Sequence, residues 1–334
     1  MKHEITVPSQ GLKSSETFAR LNLLGESRAF LGALRRIERI AEVDAGVLIL
    51  GETGTGKELA ARALHYLSPR RDFGFVPVNC GALPDSLLES ELFGHEQGAF
   101  TDAKRANRGL IAQAEGGTLF FDEIETMTLR AQVVLLRFLQ DHQYRPVGGH
   151  LMRPANIRVI AATNADMEQM VRRGEFRSDL LFRFGVLRVT MPALRDREDD
   201  AVLITKYFRS RFAAQYRRPA SPLDPGMIAR LRAYNWPGNV REVENFALQQ
   251  ILLDDSACIE IGAWAGTAAA TDSAAADPAL CFRSAKAIAV AQFERNYIRR
   301  LLDMTGGNVS EAAKICGKDR STLNKLVRKH GIGG

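Results

Sequence analysis

The stretch that decides the fold is V-L-I-L-G-E-T-G-T-G-K-E, residues 47–58, in which an aliphatic run leads into a glycine-rich turn and a lysine. The run at residues 47–50 is typical of a short buried strand, and the residues after Lys57 repeat apolar side chains at helical spacing. A strand, a glycine-rich turn and a helix in this order predict a phosphate-binding loop, because backbone N–H groups then surround phosphate oxygens at the positive end of a helix. The predicted binding residues are Gly51, Glu52, Thr53, Gly54, Thr55, Gly56, Lys57 and Glu58.

One position of this loop departs from the common pattern. Glu58 stands where a Ser or Thr hydroxyl usually contacts the magnesium ion of the nucleotide. The ion would then be held by water, by Asp122 or by Glu58 itself, and the residues alone leave this open. The alternative interpretation, a tight turn without a ligand, is disfavoured because strand, lysine and helix occur together.

Two further predicted strands end in polar residues. The segment G-G-T-L-F-F-D-E-I, residues 116–124, delivers Asp122 and Glu123 to a strand end, where Asp122 would orient magnesium and Glu123 would polarise a water for attack on the γ-phosphate. Alone, such a pair is more often a helix cap, but downstream of a phosphate-binding loop catalysis is favoured. The strand I-R-V-I-A-A-T-N ends in Thr163 and Asn164, which we expect beside the phosphates.

Three arginines are candidates to reach the nucleotide from elsewhere. Arg177 and Arg183 are six residues apart and do not share a helix face, so they either form surface salt bridges or address a neighbouring subunit as arginine fingers. Arg241, in W-P-G-N-V-R-E, is placed to bring a guanidinium from a helical region to the nucleotide.

The alternation of elements predicts the fold class. Buried strands are expected at residues 47–50, 75–79, 118–121, 157–162 and 186–189. Helices between them indicate an α/β domain around a parallel sheet. The pattern is helical from Arg195 to Leu253, which indicates a smaller lid. The predicted organisation is a tail at 1–20, the α/β domain at 21–190, the lid at 191–261, a flexible linker at 262–280 and a helix-turn-helix module at 281–334.

The terminal module is strongly basic. Residues 281–334 hold 11 Lys and Arg against 4 Asp and Glu, while the whole chain has a net charge of +6. A turn glycine at Gly317, between small and apolar residues at Ala313 and Leu323, is typical of a helix-turn-helix that enters the major groove. The alternatives are a helical hairpin that binds nothing and a solvated basic face. The candidate DNA-binding residues are Arg320, Ser321, Thr322, Asn324, Lys325, Arg328 and Lys329.

Composition excludes several other classes of protein. With 46% apolar and 25% charged residues, the chain is neither disordered nor collagen-like. The longest aliphatic run is far shorter than the roughly 20 residues of a membrane span, so we expect a cytoplasmic protein without a membrane partner. The four cysteines form no C-x-x-C pair, and we expect neither disulfides nor zinc.

Taken together, the motifs between about residues 23 and 253 resemble the AAA+ ATPase domain of bacterial enhancer-binding proteins, the activators of sigma-54 RNA polymerase. The motifs that carry the resemblance are L-G-E-S (24–27), G-E-T-G-T-G-K-E (51–58), V-N-C-G-A-L (78–83), E-S-E-L-F-G-H-E-Q-G-A-F-T-D-A (89–103), G-G-T-L-F-F-D-E-I (116–124), F-R-S-D-L-L-F-R (176–183) and W-P-G-N-V-R-E (236–242). The terminal module resembles the Fis-type domain of the same proteins. In this family, glutamate is the rule at the position of Glu58.

The resemblance implies an AAA+ P-loop NTPase with a helical lid, which hydrolyses ATP with Mg²⁺ at the interfaces of a ring, commonly a hexamer. It implies Asp122 as the Walker B acid and Glu123 as the base. It also implies Asn79 as a switch partner of Glu123, Asn164 as a sensor, Arg177 and Arg183 as fingers acting in trans, and Arg241 as a second sensor.

The loop that would contact sigma-54 departs from its usual sequence. Residues 98–103 read G-A-F-T-D-A instead of G-A-F-T-G-A, which retains Phe100 and Thr101 as the expected contacts but places Asp102 at a position where glycine is usual. The predicted function is therefore an activator that binds enhancer DNA and remodels the sigma-54 polymerase. The alternative is an ATP-assembled DNA-binding regulator, either a repressor or independent of sigma-54, and an AAA+ loader is a third interpretation.

About 20 residues before the ATPase domain cannot hold a sensory fold, so the resemblance implies control from outside the chain. The candidates are a separate inhibitor protein, a partner paralogue and the abundance of the protein itself. The sequence leaves open whether the ring is a homo-oligomer or a hetero-oligomer.

Overall fold

The structure is a computed structural model that describes residues 15–82, 85–100, 103 and 105–253, and in the C-terminal segment residues 298, 302, 305, 308–316, 323 and 327. The chain divides into two compact units, Met1–Ile261 and Gly262–Gly334. The first contains an α/β part and a helical part, and each unit is considered separately.

A parallel sheet forms the centre of the first unit. In chain order the strands are β1 (Val47–Leu50), β2 (Phe75–Asn79), β3 (Thr118–Asp122), β4 (Gln143–Tyr144), β5 (Arg153–Pro154), β6 (Arg158–Thr163) and β7 (Leu187–Thr190). Within the described residues the main sheet has five strands in the order β2-β3-β6-β1-β7, and every neighbouring pair is parallel. The predicted α/β fold is thus confirmed, with strand ends within one residue of those expected.

Helices cover both faces of this sheet. They are α1 (Ser15–Arg20), α2 (Arg28–Ala41), α3 (Lys57–Tyr66), α4 (Asp85–Phe93), α5 (Gly109–Gln113), α6 (Leu129–Asp141), α7 (Met167–Arg172) and α8 (Ser178–Phe184). Alternate strand residues enter two separate apolar clusters, because successive side chains of a strand point to opposite faces. Phe121 packs with α6 and α8 on one face, and Phe120 packs with α2 and α3 on the other.

The prediction of a tail over residues 1–20 is wrong for its last six residues. Ser15–Arg20 form α1, and Phe18 is buried in the cluster that contains α2 and α3. A helix of six residues offers one side chain to the core, so it leaves no periodicity to detect. Residues 1–14 lie outside the described residues.

The antiparallel pair of β4 and β5 was not predicted, because strands of two residues carry no alternating pattern. The turn between them packs against the segment that follows α4. The N–H of Val147 donates to the carbonyl of Gly94, and the N–H of Glu96 donates to the carbonyl of Val147.

The lid consists of α9 (Asp200–Tyr216), α10 (Pro225–Ala233) and α11 (Asn239–Leu252). These helices enclose a third apolar cluster around the buried ring of Trp236, whose indole N–H donates to the carbonyl of Leu231. The helical pattern predicted from Arg195 to Leu253 is therefore found.

A buried ion pair holds the lid to the segment before α2. The side chains of Arg197 and Asp200 are each 2% exposed, and the Arg197 Nε donates to the carboxylate of Asp200 over 2.9 Å. The same carboxylate accepts hydrogen bonds from the N–H groups of Glu26 and Ser27 and from the Ser27 hydroxyl. Burial lowers the pKa of Arg197, so the guanidinium depends on this partner.

We expect Asp200→Ala to lower the free energy of unfolding by about 3–5 kcal/mol, because it leaves the Arg197 charge buried without a partner. Urea denaturation followed by circular dichroism measures this change. Asp199→Ala is the matched control, because Asp199 pairs with Arg232 on the surface and its loss is expected to change stability by about 0–1 kcal/mol. Equal effects of the two variants would contradict the prediction.

In the second unit, α12 (Val309–Ile315) packs in a small cluster that includes Ile298, Ala312, Ala313 and Leu323. Buried positions at Ala313 and Leu323 agree with the core expected there. The predicted linker and the predicted DNA-binding residues, Arg320, Ser321, Thr322, Asn324, Lys325, Arg328 and Lys329, lie outside the described residues. No helix among the residues that the structure describes is long and apolar enough to cross a bilayer.

Candidate functional site

The carboxyl ends of the central strands bring the predicted site residues together. The glycine-rich loop follows β1, Asp122 ends β3 with Glu123 directly after it, and Asn164 follows β6. Asn79 ends β2 and is the register partner of Asp122. Since parallel strands share one carboxyl edge, residues far apart in sequence converge on a single site.

The loop has the conformation that a phosphate site requires. Gly54 has φ +79° and Gly56 has φ +95°, and Gly56 directly precedes α3. The Lys57 Nζ donates to the carbonyls of Gly51 (2.8 Å) and Glu52 (3.1 Å). Burial lowers the pKa of Lys57, while the nearby charges of Asp122, Glu125 and Glu123 act in the opposite direction. The ammonium thus lies half-buried between the loop and a group of carboxylates.

Asp122 and Glu123 differ in environment. Burial raises the pKa of Asp122 against the opposing effects of the Glu123 N–H, which donates to its Oδ1 over 3.0 Å, and of Lys57. Glu123 has φ +55°, in the left-handed region that a glutamate rarely adopts. Backbone strain of this kind is concentrated at functional sites.

Asn79 and Glu123 approach each other at Gly81. A methyl group placed on Gly81 would lie 3.1 Å from the Glu123 Oε2 and 3.4 Å from the Asn79 Oδ1. The Asn79 Oδ1 accepts hydrogen bonds from the N–H groups of Gly81 (2.8 Å) and Ala82 (3.2 Å). The Asn79 and Glu123 side chains therefore both lie next to Gly81, where an added methyl group would be tightly packed.

Asn164 contacts the phosphate-binding loop directly. Its Nδ2 donates to the Thr53 Oγ1 over 2.9 Å. Its N–H lies 3.5 Å from the Oε1 of Glu125, a third acidic residue whose Oε2 is buried without a hydrogen-bond partner. Glu125 was not predicted, although the sequence D-E-I-E shows it two residues beyond Glu123.

Glu58 lies on the first turn of α3, and its carboxylate is paired with a side chain of the same helix. Its Oε1 accepts from the Nε (3.0 Å) and Nη2 (2.8 Å) of Arg62. In the part of the chain that the structure describes, no group of three or more His, Cys, Asp or Glu side chains is arranged to hold a metal ion. Magnesium is usually held by one or two carboxylates together with substrate phosphates, so the Asp122 carboxylate near Lys57 fits such an ion.

The three candidate arginines have different surroundings. Arg241 is in α11, and its Cβ adjoins Gly54 of the loop. Arg177 pairs with Asp179 over 2.7 Å, and Arg183 donates to the carbonyl of Leu139 at the end of α6. The structure thus brings Arg241 to the nucleotide site of its own chain and gives the other two partners elsewhere.

A narrow cavity opens between the loop and the lid. Its lining is mainly apolar and includes Leu23, Leu24, Leu59, Phe208 and Val240. It borders Thr55 and Gly56, so it adjoins the phosphate-binding loop.

Two residues at the boundary of loop and lid, Arg195 and Asn239, were not predicted, and they contact Glu52, which was predicted as a binding residue of the loop. Glu52 pairs with Arg195, and Asn239 donates to both Glu52 and the carbonyl of Thr53. For Asn239 the only signal was the W-P-G-N motif, which marks a break before a helix but does not show what the asparagine contacts.

The expected sigma-54 loop is partly described. Phe100 is 40% exposed, and its ring lies 4.9 Å from the ring of His95. The His95 Nδ1 lies 2.8 Å from the Ser90 Oγ, which links the base of the loop to α4. Thr101 and Asp102 lie outside the described residues.

Asp122→Asn is expected to raise the melting temperature of the nucleotide-free protein by a few degrees. A raised pKa means that the charged form is disfavoured in the folded state, and asparagine removes that charge. A difference in pKa between the folded and unfolded states is also a difference in folding free energy. For a domain of this size, about 1 kcal/mol changes the melting temperature by roughly 2–4 °C.

The difference between Asp122→Asn and the wild type is expected at neutral pH. It should vanish as the pH falls through the raised pKa towards the ordinary aspartate value, because both side chains are then neutral. Thermal denaturation at several pH values measures it, and a variant less stable than the wild type at neutral pH would contradict the prediction.

Comparison with known families matches three consecutive parts of the chain. The sigma-54 interaction domain matches residues 23–190, an AAA+ ATPase lid domain matches residues 195–278, and the Fis family of bacterial regulatory proteins matches residues 289–329. The lid match extends beyond residue 261, where the lid was predicted to end.

Curated relatives extend over most of the chain. The C4-dicarboxylate transport transcriptional regulatory protein DctD of Pseudomonas aeruginosa is 42% identical over 310 residues, covering 93% of this chain and 64% of its own length. The transcriptional regulatory protein GlrR of Escherichia coli is 40% identical over 308 residues, covering 92% of this chain and 68% of its own length. The chain therefore spans about two thirds of the length of these relatives.

Solved structures support the same architecture. NtrX of Brucella abortus is 32% identical, with a TM-score of 0.68 over 96% of this chain and 71% of its own. The same protein in complex with ATP is 31% identical, with a TM-score of 0.67 over 96% of this chain and 72% of its own.

Proposed function

Because the chain belongs to the family of sigma-54-dependent transcriptional activators, with its AAA+ ATPase and Fis-type DNA-binding parts, we propose that it hydrolyses ATP to remodel sigma-54 RNA polymerase at promoters. The observation that carries the proposal is the convergence of Lys57, Asp122, Glu123 and Asn164 on one edge of the sheet in a domain that matches the sigma-54 interaction family.

In the proposed mechanism, the loop at residues 51–58 binds the phosphates of ATP through its backbone N–H groups and Lys57. Lys57 now donates to two loop carbonyls, and we propose that its ammonium turns to the terminal phosphates when the nucleotide enters. The apolar cavity beside Thr55 and Gly56 measures only about 30 Å³, so we propose that it widens to receive the base when the nucleotide binds. Arg241 then approaches the phosphates from the lid.

Glu123 is proposed as the general base. Its carboxylate orients a water and accepts a proton as the water attacks the γ-phosphate. Asn79 and Glu123 both lie beside Gly81, which supports the proposed role of Asn79 as a switch that holds this carboxylate in an inactive position. Asn164 contacts Thr53 and is placed to sense the γ-phosphate.

Asp122, with the nucleotide phosphates, is the proposed site for Mg²⁺. The ion would neutralise charge on the phosphate oxygens during hydrolysis. The raised pKa of Asp122 supports this assignment, because a buried carboxylate gains most from a bound cation. Glu58 is paired with Arg62, which favours Asp122 over Glu58 as the protein ligand.

Assembly into a ring, commonly a hexamer, would complete each site. Among the described residues, Arg177 pairs with Asp179 and Arg183 with the Leu139 carbonyl, and neither contacts the phosphate-binding loop of its own chain, which supports a role as fingers that act on a neighbouring subunit. Phe100 and Thr101 are the proposed contacts with sigma-54. We propose the domain boundaries given above, with residues 15–20 added to the ATPase domain, and enhancer binding by residues 281–334.

The proposal is tested by binding of the purified protein to sigma-54 in the presence of ADP and aluminium fluoride, which together mimic the transition state of hydrolysis. The wild type is compared with Thr101→Ala, Asp102→Gly and the nucleotide-site control Lys57→Ala. A complex that forms only with nucleotide and is lost in Thr101→Ala and Lys57→Ala is the expected result.

A complex formed by Asp102→Gly alone would contradict the activator proposal. It would favour the alternative function, an ATP-assembled DNA-binding regulator that does not engage sigma-54.

A further inference from the structure

Asn239 is fully buried where the lid meets the phosphate-binding loop. Its Oδ1 accepts from the N–H of Leu194 over 2.8 Å, and its Nδ2 donates to the carbonyl of Thr53 over 3.0 Å and to the Glu52 Oε2 over 3.2 Å. The side chain thus joins two parts of the lid segment to two consecutive loop residues. Its backbone has φ +52°, a conformation that asparagine tolerates better than most residues.

The backbone of the loop also touches the lid beside Asn239. The N–H of Val240 donates to the carbonyl of Gly54 over 3.0 Å. A side chain at Gly54 would overlap the carbonyl oxygen of Gly238, so the two backbones meet without an intervening side chain. The conformation of the loop and the position of the start of α11 are therefore fixed together.

An ion pair closes this connection. Arg195 donates through Nη1 and Nη2 to both carboxylate oxygens of Glu52, with 2.9 Å for the Nη1 bond. These hydrogen bonds hold the pKa of Glu52 below its ordinary value. Arg195 directly follows Leu194, whose N–H is bound by Asn239. These contacts form a closed ring that connects the phosphate-binding loop to the lid segment. We call it the loop–lid latch, and its residues are Glu52, Leu194, Arg195 and Asn239.

We propose that Asn239 is a positioning residue for the nucleotide and that Arg195 neutralises Glu52 so that the loop accepts a polyphosphate. This inference rests on the proposed ATPase function and deepens it. Asn239 acts through the Thr53 carbonyl, which fixes the peptide groups that face the phosphates. It also sets the place of Arg241, two residues further along α11.

The two parts of the latch act by different physical means. Without the Asn239 amide, the loop must be ordered when the nucleotide binds, and preorganisation is lost. Without Arg195, the negative charge of Glu52 remains beside the incoming phosphates and repels them. The first effect does not depend on salt, whereas the second weakens as the ionic strength rises, because the Glu52 and Arg195 side chains are partly exposed.

The test compares Asn239→Gly and Asn239→Ala in the full chain. Glycine adopts a positive φ without strain, so Asn239→Gly removes the amide and preserves the backbone. We expect the dissociation constants of fluorescent ATP and ADP analogues to rise roughly 10–100-fold in both variants, since buried hydrogen bonds are lost. KM for ATP should rise in parallel.

Glu244→Gln is the matched control on the same helix, since Glu244 contacts only the exposed Arg211 at 3.8 Å among its described ion-pair partners. It should bind nucleotide as the wild type does. A residue with a merely structural role would lower the melting temperature and the folded fraction, but it would leave the dissociation constant of the folded fraction unchanged.

The neutralisation of the Glu52 charge by Arg195 is tested separately, with Arg195→Ala and the double variant Glu52→Gln/Arg195→Ala. Arg195→Ala is expected to weaken ATP binding roughly fivefold to tenfold at low salt. The double variant should recover most of the affinity, because it no longer carries the unpaired charge. A double variant that binds as weakly as Arg195→Ala would overturn the neutralising role.

The outcomes separate this inference from the proposed function. If the wild type binds ATP and folded Asn239→Gly binds it equally well, the positioning role is overturned and the ATPase proposal stands. If the wild type binds no ATP, the ATPase proposal fails and the latch has no nucleotide to position.

Discussion

Glu123→Gln is expected to slow ATP hydrolysis by roughly 10²–10⁴-fold, the usual contribution of a positioned general base. Glutamine retains the shape of the side chain but cannot accept the proton of the attacking water. ATP affinity should stay close to that of the wild type, because the phosphates are held by the loop and Lys57. Phosphate release and the titration of a fluorescent ATP analogue measure the two quantities on the same sample.

Glu125→Gln provides the comparison within the same group of carboxylates. Glu125 lies near Lys57 and the Asn164 N–H, but the proposed mechanism gives it no proton to accept. We expect its hydrolysis rate to remain within about tenfold of the wild type, the scale of one modest hydrogen bond. If Glu125→Gln lost as much activity as Glu123→Gln, or if Glu123→Gln remained active, Glu123 would not be the base.

Glu123→Gln also separates the loss of the proton acceptor from any change in the backbone conformation. The positive φ of Glu123 belongs to the turn that begins after β3, where the Thr126 hydroxyl donates to the Glu123 carbonyl over 2.7 Å. Glutamine and glutamate have similar backbone preferences, so this turn is expected to persist. A melting temperature close to that of the wild type would show that lost hydrolysis is not lost folding.

The parts of the site that were predictable from the sequence follow strands. Asp122 ends one apolar strand and Asn164 directly follows another, and the parallel sheet then brings them to one edge without further information. The role of Lys57 is predictable from the glycine-rich turn before it. For these residues, local sequence and a general rule of sheet topology are sufficient.

The latch has no local signal of this kind. Glu52 and Asn239 are 187 residues apart, and their contact depends on how the lid packs against the loop. The same reason applies to Asp200, whose partners at Glu26 and Ser27 lie 174 and 173 residues away. Side-chain contacts between parts that are far apart in sequence arise from packing, which no motif encodes.

Arg183→Ala is expected to reduce ATP hydrolysis by roughly 10³–10⁵-fold, the effect of removing an arginine finger, while ATP binding is preserved. Within its own chain, the guanidinium donates to the carbonyl of Leu139 through Nε (3.1 Å) and Nη2 (3.0 Å). In the proposed ring it would exchange this partner for the γ-phosphate bound by a neighbour. Arg177→Ala tests the second candidate, which is held by Asp179.

Mixing two inactive variants distinguishes action in trans from a role within the chain. Arg183→Ala retains its nucleotide site but lacks the finger, whereas Lys57→Ala lacks the site but retains the finger. In an equimolar mixed ring, about a quarter of the interfaces pair an intact site with an intact finger, so hydrolysis should recover towards that fraction of the wild-type rate. Size-exclusion chromatography checks that both variants assemble equally.

A mixture as inactive as its components, although mixed rings form, would show that Arg183 acts within its own chain. The contact with Leu139 would then be its principal role, and Arg183→Ala would lower the stability of the protein along with its activity. Thermal denaturation of the isolated variant measures the loss of the Leu139 contact, which is expected in both cases, so the hydrolysis of the mixed ring is the measurement that separates them. The expected pattern is therefore a variant that binds ATP, does not hydrolyse it alone, and recovers hydrolysis only with a partner that carries an intact Arg183.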